Sequence, residues 1–504
     1  MAQTFAGMIR GRPVERHRGW PRLEVGRRAW ATAGEALADG RLALAGLWGD
    51  RSAVHMAVLA EEAGGAAVLT LACPDGTFPS VGRLHAPAIR PERAVHDLFG
   101  LRPLDAPDPR PWLDHGRWGV RFPLGACEPA PADGLTYAFL PVEGEGLHQI
   151  PVGPVHAGII EPGHFRFTAS GETVVRLEAR LGYVHKGIEA LMRGATLANA
   201  AALAGRVCGD STVAYAYAFA RAAETALGIE APPRAAHLRA LMAELERIAN
   251  HLGDIGAICN DAAFTLMHAH CATLRERVLR AARAAFGHRL MRDRIAPGGV
   301  AGDLDADGAA AIRSLVAEVQ ARFPALVELY DATTSLQDRT VATGILKSEL
   351  ARRFAAGGYV GRASGRAFDA RRALPYPPYD ALSFEVPVLS EGDVNARVWV
   401  RIREVEQSLA LVDQILDRLP DGPLRVAIGG AGRAAEGVAM VEGFRGDVLV
   451  WLRIGADGQV ERCHPRDPSW FQWPLLEAAI EGNIVADFPL CNKSFNCSYS
   501  GHDL

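Results

Sequence analysis

The stretch Arg206-Val-Cys208-Gly209-Asp210-Ser211 carries a thiol and, three residues on, a hydroxyl. Two cysteines at that spacing would hold one metal ion, and a second pair elsewhere would complete a cage of soft thiolates. Ser211 stands where the second thiol would be, so the cage is open at this end. The candidate second half is Asp487-Phe-Pro-Leu-Cys491-Asn-Lys-Ser-Phe-Asn-Cys497-Ser-Tyr-Ser-Gly-His-Asp-Leu504. Its two cysteines are six apart, a spacing that no common metal motif uses.

Other stretches could move protons. Gly153-Pro154-Val-His156-Ala-Gly-Ile-Ile-Glu161-Pro-Gly-His164-Phe-Arg166 packs two histidines and a carboxylate into a stiff Gly/Pro-rich loop, which is how proton-transfer groups are positioned. Taken alone, it serves equally as a turn with surface histidines. Tyr183-Val-His185-Lys186-Gly187-Ile-Glu189 reads either as part of such a site or as a strand-to-helix junction with solvated charges. Glu244, Arg247 and His251 share one helix face, since steps of three and seven return close to the same angle; a solvated ion pair has the same spacing. Arg362-Ala-Ser-Gly365-Arg-Ala-Phe-Asp369-Ala-Arg371 is a charged, Gly-containing loop.

The chain that must position these groups has 504 residues, 49% hydrophobic and 22% charged, enough for two or more domains with a sizeable core. A formal net charge of -4 gives no basic field for nucleic acid, and no phosphate-cradling Gly-rich loop occurs. Eight scattered cysteines without a C-x-x-C read as reduced thiols. Met1 to Trp20 lacks an apolar signal region, and no apolar run reaches the length of a membrane span.

Residues 1–135 read as a small α+β domain, with strand character over 41–48 and 66–72 and a short helix over 93–100. The proline-rich segment from Leu101 to Asp114 is expected to be extended and irregular. Residues 136–152 read as a linker, and 153–504 as a large, mostly helical domain with small peripheral sheets. Strands are expected over 165–168 and 173–179, and helices over 188–204, 213–227, 234–257, 263–288, 307–330 and 394–418. Leu238, Leu241, Leu245, Ile248 and Leu252 form the clearest apolar stripe. Further strands are expected over 424–429, 438–443 and 447–454.

In this order and spacing the segments Gly153–Arg166, Tyr183–Glu189, Arg206–Gly209, Arg239–His251, Asp338–Thr340, Arg362–Arg371 and Gly482–Leu490 resemble one family. It comprises the large subunits of group 4, membrane-bound nickel–iron hydrogenases of the formate hydrogenlyase and hydrogenase-4 type, and the quinone-site large subunit of respiratory complex I. Glu92-Arg-Ala-Val-His-Asp-Leu-Phe-Gly100 resembles the small complex I subunit that is fused ahead of the large one in formate-hydrogenlyase-type enzymes. The resemblance implies an α+β chain docked on an iron–sulfur partner subunit, and through it on membrane-arm subunits, at the cytoplasmic face of the cell membrane.

The departures from the pattern shape the chemistry that the resemblance implies. Family hydrogenases carry Arg-x-Cys-Gly-x-Cys, so Cys208 keeps one ligand and Ser211 replaces the next. The C-terminal Asp-Pro-Cys-x-x-Cys falls on Asn496 to Gly501, placing Ser498 and Gly501 at the remaining thiolate positions. Nickel is therefore not expected, and none of these degenerate positions, Cys208, Ser211, Ser498 and Gly501, is assigned as a metal ligand. His156 matches the first histidine of the complex I quinone loop, Ile160 replaces the second, and Glu161 matches the carboxylate that passes protons on the hydrogenase side. Arg445 resembles the arginine above the hydrogenase metal centre. Glu161, His156, Arg206, Asp210 and Arg445 are the implied catalytic residues, with Cys208, His185, Asp369 and Arg371 on the cofactor side. The expected work is to couple electron arrival to protonation of Glu161 and its neighbours, with or without a quinone. The alternatives are an active hydrogenase with unusual ligands and a structural subunit without redox chemistry. Three placements follow: Cys208 lies against Ser498–Gly501; Glu161 lies beside a dry cavity; and Glu161, His156, Arg206 and Asp210 are buried together, whereas wide exposure would favour the structural subunit.

Overall fold

The structure, a computed structural model, describes residues 9–62, 64–130, 136–429 and 432–504. Branched and small apolar residues over the first strand-like stretches form three antiparallel strands, Ala43–Asp50, Ala53–Ala60 and Gly65–Ala72. Arg22–Val25 adds in parallel to Gly65–Ala72, and Arg12–Pro13 closes that edge. The helix expected over 93–100 begins earlier, at Ile89, because Pro91 is tolerated in a first turn, and Gly100 ends it at φ 75°. Pro103 departs from the irregular segment expected there. It sits in a short strand, Arg102–Leu104, parallel to Thr77–Pro79 at an edge where its missing N–H costs nothing.

The boundary read at residue 135 lies outside the described residues. Within the stretch read as linker, Leu147–Val152 is a strand, the outer member of a sheet with His164–Ser170 and Thr173–Arg180. The first unit is continuous in packing with the last. Trp30, Leu47, Phe99 and Trp112 share one apolar core with Phe165, Trp473, Cys497 and Tyr499. Trp112 Nε1 donates to His502 Nε2 at 3.2 Å across that seam.

Four long helices, Pro233–Asp261, Thr265–Phe286, Ala306–Ala332 and Val394–Asp417, pack side by side as the apolar stripes predict. The helix expected over 188–204 is two, Ile188–Met192 and Leu197–Ala204, because Gly194 turns the chain at φ 76°. The strand expected over 424–429 is absent. Leu424 to Val426 instead runs extended along the Ile295–Val300 hairpin, with Val300 N donating to Leu424 O and Val426 N to Gly298 O.

Ala435–Gly443, Gly446–Ile454 and Val460–Arg466 form an antiparallel sheet, joined in parallel by His17–Arg18. The helix Thr212–Leu227 lies across this sheet. The hairpin turn between the first two strands is Phe444–Arg445. It is pinned by Gly358, at φ +61°, where a Cβ would stand 2.0 Å from the Arg445 carbonyl oxygen. Three helices not expected from periodicity, Ser469–Ala479, Phe488–Phe495 and Tyr499–Asp503, carry the tail back into the core.

Candidate functional site

The site forms where two chain segments 290 residues apart meet. Cys208 lies in the turn before the helix Thr212–Leu227, and Ser498 caps the helix Tyr499–Asp503 by accepting from Gly501 N at 2.8 Å. Cys208 Sγ is 2.9 Å from Ser498 Oγ, so the expected meeting of the two motifs is found. Cys208 Sγ also donates to Asp210 Oδ1 at 2.9 Å. Arg445 clamps both oxygens of Asp210, at 2.6 and 2.5 Å, and reaches Ser211 Oγ at 3.2 Å. The Arg445 guanidinium stands 3.7 Å from Cys208 Sγ.

The electrostatics follow from this geometry. Burial and the neighbouring Asp210 charge push the Cys208 thiol up to about 12. Burial also acts to raise Asp210, but the guanidinium of Arg445 outweighs it and holds the carboxyl down at about 2. At neutral pH the site is thus a protonated thiol hydrogen-bonded to an ionised carboxylate whose counter-charge is Arg445. The first turn of Thr212–Leu227 has no side-chain cap of its own. Glu246 of the neighbouring helix supplies one, accepting from Val213 N at 2.8 Å and Ala214 N at 3.0 Å. Burial, with Asp210 nearby, lifts Glu246 to about 8.

The two expected proton loops grip the tail helix rather than Cys208 itself. Glu161 Oε2 accepts from Ser500 N at 2.9 Å, His156 Nε2 lies 3.4 Å from the Tyr499 hydroxyl, and His185 Nδ1 lies 2.6 Å from Asp503 O. Glu161 is exposed and His156 half-buried, so the dry cavity expected around Glu161 is not its setting. The chain there is a surface loop, in which Val155 and Ile159 are also exposed. Arg206 is a second correction. Its side chain turns outward to a solvent-exposed pair with Asp293, at 2.7 and 2.8 Å, and takes no part in the site; such pairs contribute at most about 1 kcal/mol. The four residues expected to be buried together therefore separate, with only Asp210 at the thiol.

Asp369 and Arg371 belong to another, sealed cluster. Arg371 makes a two-pronged pair with Asp369 and reaches Glu244 at 3.0 Å. Glu244 also takes Tyr379 Oη at 2.6 Å, Ser408 Oγ at 2.7 Å and Arg247 Nε at 3.2 Å. Arg362 bridges Glu404 and Glu442, each at 2.9 Å, and His251 Nε2 lies 2.7 Å from Glu404. The helix face Glu244–Arg247–His251 is therefore interior, not the solvated pair that its spacing also allowed.

A nickel–iron centre does not fit the Cys208 site. Of the four ligand positions that the resemblance implies, only Cys208 offers sulfur, and that sulfur lies among a carboxylate, a guanidinium and a serine hydroxyl. The space at Gly501 is filled: a Cβ there would be 2.4 Å from Asp467 Oδ2 and 2.8 Å from Ser498 Oγ. Asp467 is itself held, accepting from the Tyr215 hydroxyl at 2.5 Å and from Ser469 N at 2.8 Å. Among the described residues no group of three or more His, Cys, Asp or Glu is placed to hold a metal ion. Asp467, Ser469, Tyr215 and Tyr499 were not found by sequence reasoning. Asp467-Pro468-Ser469 ahead of Trp470 has the composition of a helix start, and that signal could have located the first two.

Comparison with known proteins agrees with this architecture. Residues 186–253 match the family described as nickel-dependent hydrogenase, and residues 261–430 match the respiratory-chain NADH dehydrogenase 49 Kd subunit. Formate hydrogenlyase subunit 5 of Escherichia coli (strain K12) is 34% identical over 436 residues, covering 84% of this chain and 77% of that protein. The C/D protein of the NADH-quinone oxidoreductase of Phocaeicola vulgatus is 29% identical over 404 residues, 75% of this chain and 78% of its own length. A chain of the membrane-bound sulfane sulfur reductase, an archaeal respiratory membrane complex, superposes with a TM-score of 0.68 at 27% identity, over 72% of this chain and all of its own. The fold is thus the α+β architecture expected, and the relatives are oxidoreductase subunits. No helix of the described residues is long and apolar enough to cross a membrane. The chain belongs to the family of large subunits shared by membrane-bound nickel–iron hydrogenases of the formate hydrogenlyase and hydrogenase-4 type and by respiratory complex I.

Proposed function

We propose that this chain is the large subunit of a membrane-associated oxidoreductase complex that couples electron transfer from an iron–sulfur partner subunit to proton chemistry, without a nickel–iron centre of its own. The observation that carries the reading is the Cys208–Ser498 meeting closed by the Asp210–Arg445 clamp, with Asp467 in the space a fourth thiolate would need. The chain's own groups then define what the site can do. A negative charge arriving nearby favours protonation of Asp210, which a thiol at 2.9 Å and a fixed guanidinium hold in place. His156, Glu161 and His185, which contact the tail helix, line the way out to solvent in this reading, and a quinone is an optional acceptor against the 153–164 loop. Residues 1–135 act as the fused small-subunit-like unit and 153–504 as the large one. The complex sits on the inner face of the cell membrane through its partners.

A second reading, a structural subunit with no redox chemistry, is favoured by one observation: Glu161 and Arg206 are exposed. Purification of the native complex separates the two. The first reading expects an iron–sulfur subunit and membrane-arm proteins in it, and a loss of turnover of roughly 10²-fold in Asp210→Asn and Arg445→Met with the assembly intact. Unchanged turnover in both variants would establish the structural role.

A further inference from the structure

The sealed cluster beside the site contains four carboxylates, Glu244, Asp369, Glu404 and Glu442, against three guanidiniums, Arg247, Arg362 and Arg371, all almost without solvent exposure. Isolated ionised groups are not tolerated in such surroundings, so the odd negative charge must be neutralised by a proton. His251 is the other group able to hold one. Its Nε2 faces Glu404, while its Nδ1 is fully buried and has no partner. Burial lowers the proton affinity of His251, with Glu404 opposing and Arg401 and Arg247 assisting that change.

Glu442 has the stronger claim because it has the fewest donors of the four: Glu244 takes four side-chain donors, Asp369 the two-pronged Arg371, and Glu404 both Arg362 and the facing His251. Arg362 reaches its Oε1 and Ala370 N its Oε2; Asp369 faces it from the neighbouring loop, Asp447 from the next strand and Arg247 from the long helix. Asp447 is already matched by Arg466. Glu442 is also three residues from Arg445 in the same hairpin, whose turn is held by Arg247 bonds to the carbonyls of Glu442 and Gly443, both at 2.8 Å. One short, rigid turn therefore has its near end in the charge cluster and its far end on the Asp210 clamp.

We propose that this cluster is a proton store, its one exchangeable proton resting on the Glu442 carboxyl, and that the 442–446 hairpin couples its occupancy to the Arg445–Asp210 clamp. The inference rests on the proposed function for its role, not for its existence. No bond other than O–H is made or broken, and the proton comes from and returns to water. Burial and the Asp369 charge raise Glu442 to about 7, so the folded chain binds a proton there that the unfolded chain would release. Its stabilising effect is complete in acid, below the ordinary carboxylate range, and is lost as pH rises through about 7.

Infrared difference spectra of the full chain, recorded between about pH 6 and about pH 8, test this. The wild type should lose a protonated-carboxyl band with a midpoint near 7 that Glu442→Gln lacks, while the separate contributions of Glu246 and Glu92 remain in both. An identical loss in folded Glu442→Gln would overturn the assignment. Should that variant not fold, Asp210→Asn carries the test: leaving Arg445 uncompensated should shift the wild-type midpoint downward, and an unmoved midpoint would contradict the coupling. Either failure leaves the metal content of the complex, and with it the proposed function, untouched.

Discussion

Arg362→Leu should destabilise the chain by about 3–5 kcal/mol, the loss expected when one partner of a buried ion pair is removed and its counter-charges stay behind. Arg362 has no solvent exposure and serves two carboxylates at once, Glu404 and Glu442. Leucine fills part of the volume but leaves both acids facing each other across an apolar gap, with Asp369 beside them. The denaturant midpoint at neutral pH should fall steeply and recover in part on acidification, since Glu404, held low chiefly by Arg362, is left stranded and a proton on it removes that charge. Addition of Glu404→Gln to Arg362→Leu should restore part of the loss, as it removes the stranded charge and members of one network are not additive. A change below about 1 kcal/mol would mean that the cluster is wetter than its burial indicates.

Gly501→Cys, which places a thiol where the family resemblance implies the fourth ligand, should weaken the fold rather than rebuild a metal site. Its Cβ would lie 2.4 Å from Asp467 Oδ2, so the carboxylate must rotate away from Tyr215 and Ser469 N. Overpacking costs about 1–3 kcal/mol. Leaving the buried Tyr215 hydroxyl without an acceptor adds about 1–3 kcal/mol. Asp467→Ala in the same chain should relieve the overpacking, so a double-mutant cycle in thermal unfolding should show strong coupling between positions 467 and 501. Independent, additive effects would show that the space is not shared.

The legible parts of the fold were those set by local pattern. The apolar stripe from Leu238 to Leu252 predicted a helix over 234–257, and the helix is Pro233–Asp261. Strands over 438–443 and 447–454 were legible for the same reason, and the structure joins them in one antiparallel hairpin. Leu424 to Val426 reads as a strand because its composition does, yet it pairs only along a small hairpin that periodicity cannot identify. At the site, the join of Cys208 to Ser498 was legible only through the family resemblance, because 290 residues of chain separate them. The direction of Arg206 was not legible: a residue beside a turn points inward or outward according to partners, here Asp293, that are distant in sequence. The same holds for Glu244, Arg247 and His251, whose partners Arg371 and Glu404 lie more than a hundred residues away. Asp467 occupies a place that only three-dimensional packing reveals.

Central to the proposed function is proton chemistry at Cys208, Asp210 and Arg445 that proceeds without a nickel–iron centre. Elemental analysis of the native complex, together with an assay of hydrogen-dependent dye reduction, tests it most directly. The predicted result is no stoichiometric nickel and no hydrogen-dependent reduction, since a protonated thiol, two hydroxyls and a filled glycine position do not make a soft four-sulfur site. About one nickel per chain accompanied by hydrogen-dependent dye reduction, against the four-thiolate rule for this metal, would contradict the account.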